Sequence, residues 1–427
     1  MEMKFKDIEV SDRLDQVVEN SLQELRGEKQ KRLKHKWIAG GCGMAAAFAC
    51  AITLGITNPS YATNIPVIGH VFEMMQDKFA YGGDYNGIGT QLTEENVAGD
   101  EEQSNEYTQT VDGVTVTLSE IYCNNAALYL SMEIHSEQPF PDMYAPQLFT
   151  SEQYSFNQTQ QGDAVILEGD LVDANTYAGL VRFDLSSKVM DDSEYMDYLK
   201  KSGNEGKIKE FDSEYTKHLK KVDIPETFTL NLSIDEIRGG LKNPPEIDYG
   251  KTAEEMESMS DEEWHDYMTK WYQEHPDAED SQEKIYAGPW NFTLDVDVNS
   301  QDTQVVDLKD KAQNGIGLSA ITKDRFEISV YSLNEDQQNM GDYFPVILDA
   351  DGRLMDYGDG GSVCTVAIND SDVSQVDVFL IDASTWLGEL KGHWWKTEDG
   401  LTDPQEIKAF KQLLLDNCAY HTEVSFE

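Results

Sequence analysis

Apolar positions along this chain follow three patterns in succession. In residues 11–32, Leu14, Val17, Val18, Leu22 and Leu25 recur at the spacing of one helix face. Ser11 or Asp12 can cap the start of that helix. Residues 37–57, WIAGGCGMAAAFACAITLGIT, then run for 21 residues without a charge. An uncharged stretch of about 20 residues is long enough to cross a ~30 Å hydrocarbon core as a helix. Thr53 and Thr57 are its only hydroxyl residues, so it lacks the polar stripe of a surface helix. After a short apolar face of Val67, Val71, Phe72 and Met75, the period falls to two.

The period-two stretches predict strands. Asp112-Gly113 leads into Val114, Val116 and Leu118, which alternate with Thr115, Thr117 and Ser119. Residues 126–134 (AALYLSMEI), 165–167, 179–185 and 228–234 (FTLNLSI) follow. Short alternating strands between turn signals argue for an antiparallel sandwich, here interrupted by a helical insertion over 192–220. A second set lies at 290–298 (WNFTLDVDV), 326–331 (FEISVY), 343–348, 363–368, 376–381 and 420–426. Asn314-Gly315-Ile316-Gly317-Leu318 echoes Asp112-Gly113-Val114-Thr115-Val116, and 326–331 echoes 128–134. The echo predicts two sandwiches built on one plan. Two helices punctuate this region. Ser260 with Glu263 forms a capping box ahead of Trp264, Tyr267, Met268, Trp271 and Tyr272. Asp403-Pro404 opens the other, with proline at its first position.

Charge orients this plan. Residues 29–36, KQKRLKHK, place five Lys or Arg directly before the uncharged run. Lys and Arg beside a span stay in the cytoplasm, so residues 1–36 are expected inside and 58–427 outside. Ser60-Tyr61-Ala62 has the small residues of a cleavage site, which would free the outer part after Ala62. The long lead and long apolar run favour an uncleaved anchor instead. The outer part carries 24 Lys or Arg against 72 Asp or Glu. So acidic a surface opposes binding to nucleic acid. Cys123, Cys364 and Cys418 lie outside the span. An exported location permits one bridge, such as Cys364 to Cys418, and three free thiols are the alternative.

Catalytic chemistry is not legible. The eight histidines form no H-E-x-x-H pair, and neither a G-x-S-x-G elbow nor a phosphate-binding glycine loop occurs. Asp349-Ala350-Asp351-Gly352, with Asp356 and Asp359, resembles the start of a calcium loop. Position 12 is Gly360 rather than Glu, so a hairpin turn is the simpler reading. No enzyme activity, catalytic residue, metal or cofactor is expected.

The junction after the span reads Asn58-Pro59-Ser60-Tyr61-Ala62-Thr63-Asn64-Ile65-Pro66-Val67-Ile68-Gly69. It resembles the N-P-x-[FY]-A-x-N-I-P-x-[IV]-G junction of a family of single-pass membrane proteins of unknown function from Gram-positive bacteria. The strand pair over 113–134 and Gly288-Pro289-Trp290-Asn291-Phe292 are similar to later features of that family, and the last stretch resembles a companion immunoglobulin-like domain. The resemblance implies an anti-sigma factor of an extracytoplasmic-function sigma factor. Leu14, Val17, Val18, Leu22 and Leu25 would be its contact stripe. His35 is the only His or Cys of the inside segment, so a zinc-bound sigma-binding domain is not expected there.

The expected architecture is mainly β. It comprises a cytoplasmic segment (1–36), one transmembrane helix (37–57), a juxtamembrane segment and acidic spacer (58–107), a first sandwich (108–241), an acidic helical insertion (242–285) and a second sandwich (286–427). The expected function is membrane regulation of envelope stress. A membrane-anchored binding module for a peptide or cell-wall ligand is the alternative.

Overall fold

The computed structural model describes residues 70–92, 106–186, 188–202, 217–218, 220–245, 247–252, 255–256, 258–275, 282–311, 315–332, 343–355, 357–360, 363–396 and 400–426. The expected span over 37–57 and the helix over 11–32 lie outside them. Among the described residues, no helix is long and apolar enough to cross a membrane. The fold is mainly β, with several antiparallel sheets.

A six-stranded sheet begins the β structure. It contains β1 (Thr90–Gln91), β2 (Thr108–Val111), β3 (Val114–Cys123), β4 (Ala127–Ser136), β7 (Glu168–Leu171) and β8 (Thr176–Asp184). The order is β1-β3-β4-β8-β7, with β2 sharing the outer side of β3. Asp112 and Gly113 join β2 to β3 with φ of 46° and 79°. An Asp-Gly pair supplies that left-handed backbone at low steric cost, which explains the sharp start of β3. A four-stranded sheet faces this one. Its order is β12 (Glu283–Asp297), β11 (Thr227–Gly240), β5 (Gln147–Tyr154) and β6 (Gln161–Ile166). Leu118, Leu130, Val181 and Phe183 from the first sheet meet Leu148, Leu232, Trp290 and Phe292 from the second in one core. Trp290 is fully buried and donates its indole N–H to the Val114 carbonyl at 3.0 Å. Burying such side chains stabilises the fold by roughly 1.5–3 kcal/mol each.

The second half repeats this plan. β13 (Gln304–Lys311), β14 (Gly317–Lys323), β15 (Glu327–Ser332), β18 (Val363–Ala367) and β17 (Tyr357–Gly360) form a sheet in the order β13-β14-β15-β18-β17. It matches β2-β3-β4-β8-β7 strand for strand. The facing sheet, β16 (Tyr343–Leu348), β19 (Gln375–Asp382) and β20 (Cys418–Ser425), matches β5, β11 and β12. One turn fixes the correspondence. Asn124 Oδ1 accepts from the amides of Ala126 and Ala127, both at 2.8 Å. Asp324 Oδ1 accepts from Phe326 and Glu327 at 2.8 and 2.9 Å. The equivalence sets Phe326 against Ala126, two residues from the register that the sequence echo suggests. A third layer distinguishes the second half. Trp386, Leu390, Trp394, Phe410 and Leu414 cover the outer side of β16 and β19. These come from the helical stretch 383–394 and the Asp403-capped helix Pro404–Asn417.

Three further helices are described. They are α1 (Val71–Met75), α2 (Ser193–Ser202) and α3 (Asp261–Glu274). Helix α3 carries the expected capping box at Ser260 and Glu263. Its aromatic face does not cover a sheet broadly. Trp271 is buried, against Tyr249 and His275, whereas Trp264 is exposed. Short strands β9 (Met190–Asp191) and β10 (Lys220–Lys221) complete the set.

Candidate functional site

Strands β3 and β4 are buried on both faces, although their alternation predicts one solvated face. The cause is a cover. Residues 70–91 lie over the outer side of the first sheet, with Val71, Phe72, Met75, Phe79, Tyr81 and Tyr85 all buried. Their partners are Ala127 and Tyr129 on β4, Ala178 and Leu180 on β8, and Phe326 and Ala367 from the second half. The part of the expected juxtamembrane segment and spacer (58–107) over residues 70–91 is therefore structural. Its glycines obscured this in the sequence, but they have a steric reason. A Cβ at Gly89 would stand 2.7 Å from the Phe72 ring.

The aromatic contacts are continuous. Tyr85 stacks on Phe326 with ring centres 4.1 Å apart and planes at 4°. Phe72 meets Tyr85 at 5.4 Å, and Phe79 meets Tyr129 edge-on at 6.0 Å. Aromatic pairs of this kind contribute about 0.5–1.5 kcal/mol beyond their area. Polar groups fix the register of the segment. The Phe72 amide donates to Glu120 Oε2 at 2.7 Å, and Gln91 Nε2 donates to Oε1 at 2.8 Å. The Ala80 amide donates to Glu168 and the Gly82 amide to Asn369, at 2.5 and 2.7 Å. One short segment is thereby tied to the first sheet and to the second half at once.

A buried ion pair crosses the same seam. Arg182 on β8 meets Glu327 on β15 in a bidentate contact, Nε–Oε2 2.6 Å and Nη2–Oε1 2.8 Å. Their side chains are 6% and 0% exposed, so neither charge has water as an alternative partner. The Tyr129 hydroxyl donates to Glu327 at 2.9 Å, and the guanidinium lies 4.7 Å above the Tyr81 ring. Burial opposes the Arg182 charge, but Glu327 beside it raises the guanidinium further above its usual range. Asp324 behaves differently. Burial first, then repulsion from Glu327, pushes its carboxyl up to about 7.

This seam contains no paired nucleophile and base. Its chemistry is that of a clamp: apolar stacking, one desolvated ion pair and backbone amides captured by carboxylates. Among the described residues, no group of three or more His, Cys, Asp or Glu is arranged to hold a metal. Asp349 instead closes a turn, accepting from the amides of Asp351 and Arg353 at 3.0 and 2.8 Å. Cys364 and Cys418 are not bridged, and Cys123 is also free. Cys364 belongs to the core between the second pair of sheets, whereas Cys418 packs with the helical layer beyond β16 and β19. A shallow concavity of about 600 Å³ lies beside α3, lined by Lys251, Glu255, Met259, Asp266 and Tyr267 among others. Leu14, Val17, Val18, Leu22 and Leu25 lie outside the described residues.

The seam residues gave a weak signal in the sequence. Arg182 sits between Val181 and Phe183, which face the core, so alternation points it outward. Nothing local reveals that the outward face is covered. The comparisons with known proteins bear on the same region. A model of the family described as "Domain of unknown function (DUF4179)" matches residues 32–136, which include the covering segment and β3 and β4. No curated protein matches the chain. A conserved domain protein from Bacillus anthracis, known from its crystal structure, is similar at 14% identity over 74% of this chain and 87% of that one, with a TM-score of 0.34.

Proposed function

We propose that this chain is a single-pass membrane regulator of envelope stress, an anti-sigma factor with exported sensing domains. In this reading residues 37–57 are the anchor and residues 1–36 lie in the cytoplasm. Leu14, Val17, Val18, Leu22 and Leu25 hold an extracytoplasmic-function sigma factor. The exported halves are immunoglobulin-like sandwiches that meet an envelope ligand.

The observation that supports it most is the clamp on residues 70–91. Only residues 58–70 separate the proposed anchor from Val71 and Phe72, both fully buried. A disturbance of either half at the seam therefore reaches the membrane through a short connection. The junction motif and the five bases before the uncharged run support the same topology.

The test is sigma-dependent transcription in the host carrying Val17→Asp or Leu22→Asp. Each variant buries a charge in the contact stripe and is expected to release the sigma factor and raise transcription. Unchanged transcription, with the protein correctly inserted, would leave the envelope binding module as the better reading.

A further inference from the structure

Away from the seam, three titratable side chains converge between the first two sheets. Lys188 follows β8 in a turn closed by its amide on the Leu185 carbonyl at 3.0 Å. Its side chain is 2% exposed. Nζ lies 2.6 Å from Asp163 Oδ2 and 2.9 Å from Glu152 Oε2. Asp163 is on β6 and Glu152 on β5, in the sheet opposite β8. Glu152 has no exposed side-chain surface, whereas Asp163 is 32% exposed.

The three groups are held from several sides. The Thr150 hydroxyl donates to Glu152 Oε1 at 2.6 Å, and the Tyr154 hydroxyl to Oε2 at 3.1 Å. Asn157 Nδ2 donates to the Lys188 carbonyl at 2.5 Å. A lysine fully enclosed with two carboxylates is costly as a mere ion pair. Desolvation of such charges commonly outweighs their attraction, so a salt bridge alone gives little stability.

We propose that Lys188 and Asp163 become joined by a side-chain amide that forms spontaneously in the folded protein, with Glu152 relaying the proton. The 2.6 Å contact brings Nζ to about the 3–3.5 Å from the carboxyl carbon that a near-attack pair requires. The ammonium first passes a proton to the Asp163 carboxylate across that contact, leaving a neutral amine and a neutral carboxyl group. Burial pulls the Lys188 ammonium down, but the two carboxylates beside it hold it above the usual lysine range, so this transfer is the uphill step of the reaction. The Nζ lone pair then attacks the Asp163 carboxyl carbon. Glu152 takes a proton from the attacking nitrogen and returns it to the departing hydroxyl. The Cγ–O bond breaks, the Nζ–Cγ bond remains, and one water leaves. No oxidant or cofactor enters the balance. The partly exposed side of Asp163 provides the exit for that water.

Burial raises the Glu152 carboxyl out of its ordinary range despite Lys188 beside it, which suits a group that carries a proton in transit. The product ties the edge strand β6 to the turn that follows β8 of the opposite sheet. A load applied along the chain would then have to break a covalent bond to part the two sheets there.

Intact-mass spectrometry of the full-length protein, purified folded and then denatured, tests this directly. The expected wild-type mass is one water below the sequence mass. Lys188→Ala and Asp163→Ala are expected at their full sequence masses. Fragmentation should recover a branched peptide pair joined through 188 and 163. Wild-type protein at its full sequence mass would overturn the proposal whether or not either variant folds. A water loss that persists in Lys188→Ala would also overturn it, since a cyclic imide at Asp163 loses the same water without the lysine.

Discussion

Asp324 and Asn124 hold equivalent places in the two halves, and they differ by one charge. Each caps a turn by accepting two backbone amides. Asn124 does so as a neutral amide. Asp324 does so as a buried carboxyl group beside Glu327, with its pKa pushed up to about 7. An acid whose folded-state pKa exceeds its unfolded value, about 3.9, binds its proton more tightly when folded. Its contribution to stability is therefore most favourable below pH ~4 and is lost as pH rises through about 7. Asp324→Asn keeps the amide acceptor and removes the titration. The variant is expected to melt above the wild type at pH 8 and to lose that advantage at pH 4. Thermal unfolding of the full chain in detergent at the two pH values checks it, and an equal difference at both would sink this reading. Glu327 beside it cannot be neutralised so cheaply, because the buried Arg182 would lose its bidentate partner and be left with the 3.7 Å contact to Asp184.

Single elements divide cleanly into those the sequence reveals and those it hides. β3, β4, β8, β11 and β19 were legible because each alternates over several residues with a sandwich core on one side. The two helix starts were legible because Ser260 with Glu263 and Asp403 with Pro404 satisfy backbone amides locally. β5 (QLFTSEQY) leaves no period-two apolar pattern in the sequence, since Thr150, Ser151 and Glu152 are polar yet buried. Thr150 and Tyr154 meet Glu152 within the strand, but Asp235 and Lys188, the partners of Ser151 and Glu152, lie far along the chain and leave no local trace. The covering segment is hidden for a related reason. Residues 80–91 hold four glycines, which reads as a linker, while the anchoring carboxylates are Glu120 and Glu168 elsewhere in the chain. The Phe72 ring is fully buried in this segment, against Tyr85 and Gly89. Phe72→Ala should cost about 3–5 kcal/mol locally, the range for emptying a buried aromatic site. Hydrogen exchange is expected to show faster exchange of amides 71–88, with 404–417 unaffected. Equal protection in variant and wild type would mean that the segment is held by its polar contacts alone.

Across the whole chain, the two matching strand orders are the largest feature, and the sequence carried only a faint echo of them. Gly113 and Gly315 both take positive φ at the start of the matching hairpins, so the turn chemistry is shared where the side chains differ. The halves differ at the seam. The first half has the covering segment, and the second contributes Phe326 and Asn369 to hold it, while Glu327 pairs with Arg182 beneath. Strong negative charge keeps such a surface soluble and leaves apolar contact to the seam. In the proposed regulator, a ligand that pries the halves apart loosens residues 70–91 and changes the state of the anchor. The transmitted signal would end at the stripe from Leu14 to Leu25 on the inner side.

The central claim is therefore that the inner segment holds a sigma factor, and co-purification tests it most directly. The full-length protein would be isolated in mild detergent from its own host, beside a version lacking residues 1–28, and the bound proteins identified by mass spectrometry. The account predicts a sigma factor with the full chain and none with the shortened one. Envelope proteins or wall fragments recovered equally with both, and no sigma factor with either, would contradict it.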